Sequence, residues 1–278
     1  EMLRSLVGSE MCIRDRCGTA RHTYGERMTL LSRRIVVAGH AFRLHESTET
    51  HAPGVVTYVL VHGIGMSHRY FAPLHAALPR SARVISIDLP GFAGLPQPER
   101  DLEVEDMGRL LAELVAVLAL GRVVYVGHSM GAQWVLEAAR ARPEPVEGVV
   151  LIGAVVDERH RTLGAQARAL VVDTLGETPA ANAVVLVDYL RCGIRRYLKQ
   201  ARRMIEYSTA STVPALQMPV LVIRGGDDPV AGSEWSHALG AAAHDGVVVE
   251  IPGQQHNVHF SAPQAVAEAI EGWAPSAR

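Results

Sequence analysis

From about residue 33 onward the apolar positions follow two alternating patterns. The stretches 55–61, 82–87, 122–126, 148–152, 220–223 and 247–251 are short, nearly continuous runs rich in Val, Ile and Leu. Runs of that length without polar alternation predict strands buried on both faces, as in a parallel sheet. The segments 34–38 and 41–45 flank Gly39-His40 and predict a hairpin of two short strands. Between the runs lie stretches with helical spacing, roughly 69–79, 103–120, 130–142, 233–243 and 262–274. In the second of these, apolar residues at 107, 110, 111, 114, 117 and 118 make a stripe of period 3.6. Strand–helix alternation of this kind predicts the α/β class: a doubly wound, mostly parallel sheet of about eight strands with helices on both faces. Ligands bind such sheets beyond the carboxyl ends of the strands.

One stretch breaks the alternation. Between Ile152 and Val220 no strand pattern occurs, and residues 157–212 read as helices at about 161–175, 180–191 and 193–206. Thr178 and Pro179 suit the start of the middle one, as N-cap and first-turn residue. A helical cap at 157–212 would lie over the carboxyl edge of the sheet as a lid, leaving 28–156 and 213–278 as the core. In the last helix Ile194, Leu198, Ala201 and Ile205 form an apolar face, and Arg191, Arg195, Lys199, Arg202 and Arg203 cover much of the rest. That row attracts an anion or is the solvated side of an amphipathic helix; the second reading is preferred. Residues 1–27 carry no signal-peptide core, and 4–16 resemble a translated sequencing adapter. They are expected to be a non-native or disordered leader, with Met28 as the natural start.

Composition narrows the classes. The chain has 278 residues, 48% of them hydrophobic, enough for one large core. A formal net charge of −2 gives no pull toward nucleic acid or an anionic membrane, and no run of about 20 apolar residues occurs. Cys12, Cys17 and Cys192 are too few and too widely spaced for a disulfide framework or a zinc site, and suit a cytoplasmic protein. Neither a metal nor a cofactor is expected.

The chemistry concentrates after the strands. Gly127-His128-Ser129-Met130-Gly131 is a G-x-S-x-G sequence directly after a strand run and before a helix. A nucleophilic serine needs such a sharp turn, and flanking glycines let it close without a side-chain clash. The serine then needs a base, and the base a partner that orients it. His256 follows the last strand in a loop; His259, its rival, precedes Phe260 at the approach to a helix and reads as a helix-entry residue. Of the adjacent Asp227 and Asp228, the second is preferred because Pro229 holds it in an extended or turn geometry, and Asp227 suits turn hydrogen bonding.

The order Ser129, Asp228, His256 resembles the nucleophile–acid–histidine order of the α/β-hydrolase superfamily, in its serine-nucleophile, esterase-like branch with a helical lid. The likeness spans most of 34–274. His62-Gly63-Ile64-Gly65 resembles the oxyanion loop, Asp88-Leu89-Pro90-Gly91-Phe92 the next strand-end motif, Gly225-Gly226-Asp227-Asp228-Pro229 the acid motif and Gly253-Gln254-Gln255-His256 the histidine motif. The second departs from the family's Gly-Phe-Gly-x-Ser, reading Gly91-Phe92-Ala93-Gly94-Leu95. The resemblance implies acyl transfer through an acyl-enzyme, with the backbone N–H groups of Ile64 and Met130 as oxyanion hole and His62 bracing that loop or acting directly. Met66, Tyr70 and Trp134 are expected around a small, apolar acyl substrate, or else as core. Carbon–carbon bond hydrolysis, perhydrolysis and cofactor-free dioxygenation on the same fold are alternatives, as is a non-catalytic small-molecule binding protein. Carbon–carbon hydrolases resemble the chain in lid placement but carry Asn and a second Gly where it has His128 and Ala132.

Overall fold

The computed structural model describes residues 20–24, 28–52 and 54–273. Every strand expected from the apolar runs forms. These are β2 (Met28–Val37), β3 (His40–Ser47), β4 (Thr57–Val61), β5 (Arg83–Asp88), β6 (Val123–His128), β7 (Val146–Ile152), β8 (Val220–Gly225) and β9 (Gly246–Ile251). An additional strand, β1 (Ala20–Tyr24), lies at the edge of the same sheet, in the order β1-β2-β3-β5-β4-β6-β7-β8-β9. Pairing among β4 to β9 is parallel, and β1, β2 and β3 add antiparallel at one end. The eight strands from β2 onward match the expected sheet.

β1 falls inside the segment expected to be a non-native or disordered leader, five residues of which are strand. Ala20 pairs with Ser32 and Tyr24 with Met28. The reason is backbone chemistry: the outer edge of β2 offers a row of unpaired N–H and C=O groups, which extended residues can occupy whatever their side chains. The rest of the leader lies outside the described residues, as do Cys12 and Cys17.

Apolar burial explains the layers. On one face of the sheet the side chains of Val59, Ile85, Tyr125 and Val149 pack against α2 (Val104–Val117), α3 (Met130–Ala141) and α8 (Ser233–Ala242). On the other, Tyr58, Val124, Val150 and Leu221 meet α1 (Ala72–Ala77) and α10 (Pro263–Trp273). In α2, Met107, Leu110, Leu111 and Leu114 of the expected stripe are buried, whereas Val117 in the last turn is exposed. A capping box between Glu103 and Asp106 starts that helix.

The interruption after β7 is the helical insertion: α4 (Leu163–Gly176), α5 (Pro179–Cys192) and α6 (Ile194–Glu206), followed by the short α7 (Thr209–Thr212). Thr178 caps α5 as expected, its hydroxyl accepting from Ala181 N–H at 3.2 Å. Of the α6 arginine row, Lys199 pairs with Asp101 and Arg203 with Glu103, while Arg195 and Arg202 are exposed. None of the row lines the cavity described below, which favours the solvated reading. No helix among the described residues is long and apolar enough to cross a membrane.

Candidate active site

The carboxyl ends of β4, β5, β6, β8 and β9 deliver the sequence motifs to one edge of the sheet. Ser129 occupies the turn between β6 and α3 with φ 54° and ψ −121°, left-handed backbone that a non-glycine residue holds only under constraint. The constraint is visible. A Cβ on Gly131 would collide with the carbonyl oxygens of Val61 and His62, and one on Gly127 with Gly131 itself. The turn closes only with glycine at both positions. α3 starts at Met130, so the first free N–H groups of that helix lie at the serine.

The loop after β4 crosses beside this turn. A Cβ on Gly63 would lie 3.2 Å from the Ser129 Cβ. His62 braces the loop: its Nδ1 donates to the Gly63 carbonyl at 2.8 Å and its Nε2 accepts from Leu89 N–H at 3.2 Å. Fully buried, its pKa is lowered by desolvation. Both ring nitrogens are occupied, which places His62 in the bracing role. Further support comes from Asp88, whose carboxylate takes hydrogen bonds from His45 Nε2 (3.0 Å), His68 Nδ1 (3.0 Å) and His68 N–H (2.7 Å). Burial alone would raise the Asp88 pKa; the two imidazoles hold it well below the carboxylate range. The donor atoms of His45, His68 and Asp88 lie within 4.8 Å of one another. The two rings stack at 3.3 Å with 12° between planes, so their in-plane lone pairs run side by side and do not converge as metal ligands must.

Of the two adjacent aspartates, Asp228 is buried and Asp227 exposed. Asp228 Oδ1 accepts from Val230 N–H (2.7 Å) and Ala231 N–H (3.0 Å), which fixes the carboxylate, and Oδ2 lies 2.9 Å from His256 Nδ1. The buried Arg224 ties the same loop together through the carbonyls of Ala231 and Asp228. His256 Nε2 is buried and has no hydrogen-bond partner among the described residues. Burial would lower the His256 pKa, but the charges of Asp228, Asp173 and Glu177 outweigh it and raise it to about 9.

The rival His259 is fully buried among Tyr70, Phe71 and His128, with neither ring nitrogen bonded among the described residues. Desolvation drives its pKa well down, and that of His128 likewise. It has no carboxylate partner among the described residues, so the geometry separates it from His256.

Ser129 and His256 line one cavity, together with Ile64, Met66 and Tyr70. From the sequence, Ser129, His256 and Ile64 are expected at the site, and Met66 and Tyr70 around the substrate or in the core. Trp134 is different: it is 0% exposed and packs against His62 and Phe92, away from the lining. Its position one turn into α3 directs it into the core, so the pocket expectation is corrected to its stated alternative, plain packing. The roof of the cavity comes from the insertion, including Leu170, Asp173, Asn182 and Tyr189. No arginine or lysine lines it. Sequence reasoning missed Asp173 and Glu177, whose side chains accept from the His256 and Asn257 N–H groups at 2.8 and 2.9 Å. It also missed Arg196, which donates to the Pro90 carbonyl and lies over the Phe92 ring, on the loop where the second motif departs from the family pattern.

Comparison with known proteins gives a consistent picture. A family model described as the alpha/beta hydrolase family matches residues 58–269. The (E)-2-((N-methylformamido)methylene)succinate hydrolase of Acinetobacter baylyi is 27% identical over 234 residues, 77% of this chain and 89% of that protein. The 2-(acetamidomethylene)succinate hydrolase of Mesorhizobium japonicum is also 27% identical over 234 residues, covering 75% and 84%. Among solved structures, the enol-lactonase from Burkholderia xenovorans LB400 superposes with a TM-score of 0.73 at 20% identity, covering 86% of this chain and 98% of that one.

Proposed function

The chain belongs to the alpha/beta hydrolase family, and from that premise we propose that it is a serine hydrolase cleaving an uncharged carboxylic ester or similar acyl compound. Ser129 is the nucleophile, His256 the general base and Asp228 the residue that orients the base. One observation carries the reading. His256 is held at Nδ1 by the Asp228 carboxylate, while its buried Nε2 has no partner and its ring lines the same cavity as Ser129 on its constrained turn. His45 is likewise held by a carboxylate with its other nitrogen unbonded, but it does not line the cavity; among the described residues His256 alone combines that arrangement with a place beside Ser129.

In the proposed reaction the Ser129 Oγ attacks the substrate carbonyl carbon as its proton passes to His256 Nε2. The carbonyl oxygen takes the negative charge and is held by the N–H groups of Ile64 and Met130, the latter aided by the positive end of α3. The imidazolium returns the proton to the leaving oxygen, the acyl–oxygen bond breaks and the acyl group remains on Ser129. Water, deprotonated by the same imidazole, repeats the sequence and releases the acid. Asp228 holds the imidazole in its tautomer and steadies the imidazolium.

The two curated relatives are named for succinate-derived substrates, which are dicarboxylates. The cavity of this chain is lined by the Asp173 carboxylate and by no arginine or lysine, and its one cationic group, His256, is already paired with Asp228. Anionic acyl groups would meet repulsion there, which supports a neutral substrate.

A labelled fluorophosphonate should modify Ser129, and p-nitrophenyl esters across an acyl-length series should turn over in the full chain. In Ser129→Ala, turnover falls to background. Labelling elsewhere, or turnover that survives Ser129→Ala, would refute the assignment.

A further inference from the structure

The insertion does more than roof the cavity. Asp173, in the last turn of α4, and Glu177, immediately after it, are four residues apart and therefore share a face. That face meets the loop after β9. Asp173 Oδ1 accepts from the backbone N–H of His256 itself at 2.8 Å, and Glu177 Oε1 from that of Asn257 at 2.9 Å. Gly176 between them lets the helix end come close, since a Cβ there would press on the Gln255 side chain. Both carboxylates are buried, at 4% and 9% exposure. Burying an acid is unfavourable unless charge or hydrogen bonding compensates. Here each acid meets a backbone donor in one short loop, 83 and 80 residues away in sequence, and neither forms an ion pair with an arginine or lysine among the described residues.

The surroundings of the imidazole make this arrangement consequential. Asp228 faces it from the loop after β8, Asp173 and Glu177 from α4, His128 from β6 and His259 from α9 (Val258–Ser261). The two neighbouring histidines are kept neutral by burial. The charges around His256 are thus three carboxylates, two of them supplied by the insertion.

We propose that Asp173 and Glu177 are positioning residues that latch the helical insertion to the His256 loop, so that docking of the insertion both fixes the base and governs its protonation. The proposal rests on the reading of His256 as general base. With the insertion docked, three carboxylates favour the imidazolium. With it displaced, Asp228 alone faces the ring and the desolvation imposed by the cover is relieved, so the two insertion carboxylates no longer set its protonation. The element that covers the substrate thereby also sets the state of the group that activates the nucleophile.

The test compares the full chain with a double variant, Asp173→Asn with Glu177→Gln, which keeps an oxygen acceptor for each N–H and removes both charges. A second double variant, Asp173→Ala with Glu177→Ala, removes the latch as well. Two readouts are followed against pH: the rate at which a fluorophosphonate labels Ser129, and the NMR titration of the His256 imidazole, which needs no turnover. In the Asn/Gln variant both midpoints should fall by about one pH unit or more. The Ala/Ala variant should lose at least about tenfold in the plateau labelling rate, because the loop is no longer held. An imidazole midpoint unchanged in the folded Asn/Gln variant overturns the proposal that the insertion governs the protonation of His256. If the imidazole midpoint moves and the labelling profile does not, the latch stands and the assignment of His256 as base falls. If Ser129 is not labelled even in the wild-type chain, the serine-hydrolase reading falls, and the imidazole titration still decides the latch.

Discussion

Raising the pH from 7 to 10 should activate Ser129 and loosen the fold at the same time, because both effects follow from one proton on His256. Burial by itself would favour the neutral ring; Asp228, then Asp173 and Glu177, reverse this and bring the pKa to about 9 against an ordinary 6.5. A base with that pKa is neutral in about one molecule in 100 at pH 7. The fluorophosphonate labelling rate should therefore climb about 100-fold between pH 7 and its plateau above pH 9. The folded-state pKa lies above the unfolded value, so the folded protein binds the proton more tightly. This stabilisation is fully present below about pH 6.5 and is lost as pH rises through about 9. The difference corresponds to about 3 kcal/mol. Urea unfolding at pH 6 and pH 10 measures it, with His256→Gln as the reference that removes contributions from other groups. A labelling rate that is flat from pH 7 to 10 would refute the reasoning. So would a wild-type stability that, relative to His256→Gln, rises with pH over this window.

Four further outcomes follow. Gly131→Ala forces a methyl group against the Val61 and His62 carbonyls; overpacking of backbone should cost at least about 1–3 kcal/mol, seen as a lower Tm and lost Ser129 labelling. Trp134→Phe should lower stability by about 1–3 kcal/mol through a partly empty core site, yet leave the acyl-length profile unchanged because Trp134 does not line the cavity; a shifted profile would return it to the pocket. Stability should also fall as pH drops from about 6.5 toward 3, because His75 stays neutral in the fold, its pKa lowered by burial to about 3, while the unfolded chain binds the proton; His75→Gln should flatten that slope in urea titrations. Deleting residues 1–24 removes β1, which lies five strands from β6, about 24 Å away. Labelling of Ser129 should persist while Tm falls by a few degrees from the unpaired β2 edge.

What the sequence reveals and what it hides divides along the range of the forces involved. The strands were legible because β-branched runs buried on both faces leave a local signature, and the elbow because Gly127 and Gly131 are required by a steric clash within a few residues. Asp228 over Asp227 was legible through Pro229, whose ring restricts the residue before it. Trp134 was misplaced because spacing along α3 says which residues share a face and not whether that face meets a cavity or Phe92. β1 was missed because pairing to an open sheet edge is a backbone interaction with almost no side-chain signature. The latch was invisible for a stronger reason. A carboxylate accepting a backbone N–H 83 residues away leaves nothing at either end of the sequence: any residue except proline can supply the N–H, and an acid near a helix end reads as solvated. Only the burial of Asp173 and Glu177, two acids without a basic partner at the one loop that carries His256, distinguishes them. The same contrast orders the experiments. Substitutions at locally legible positions such as Gly131 test whether the site is built as described, whereas Asp173→Asn with Glu177→Gln tests whether its protonation is set from outside the three residues that the sequence names.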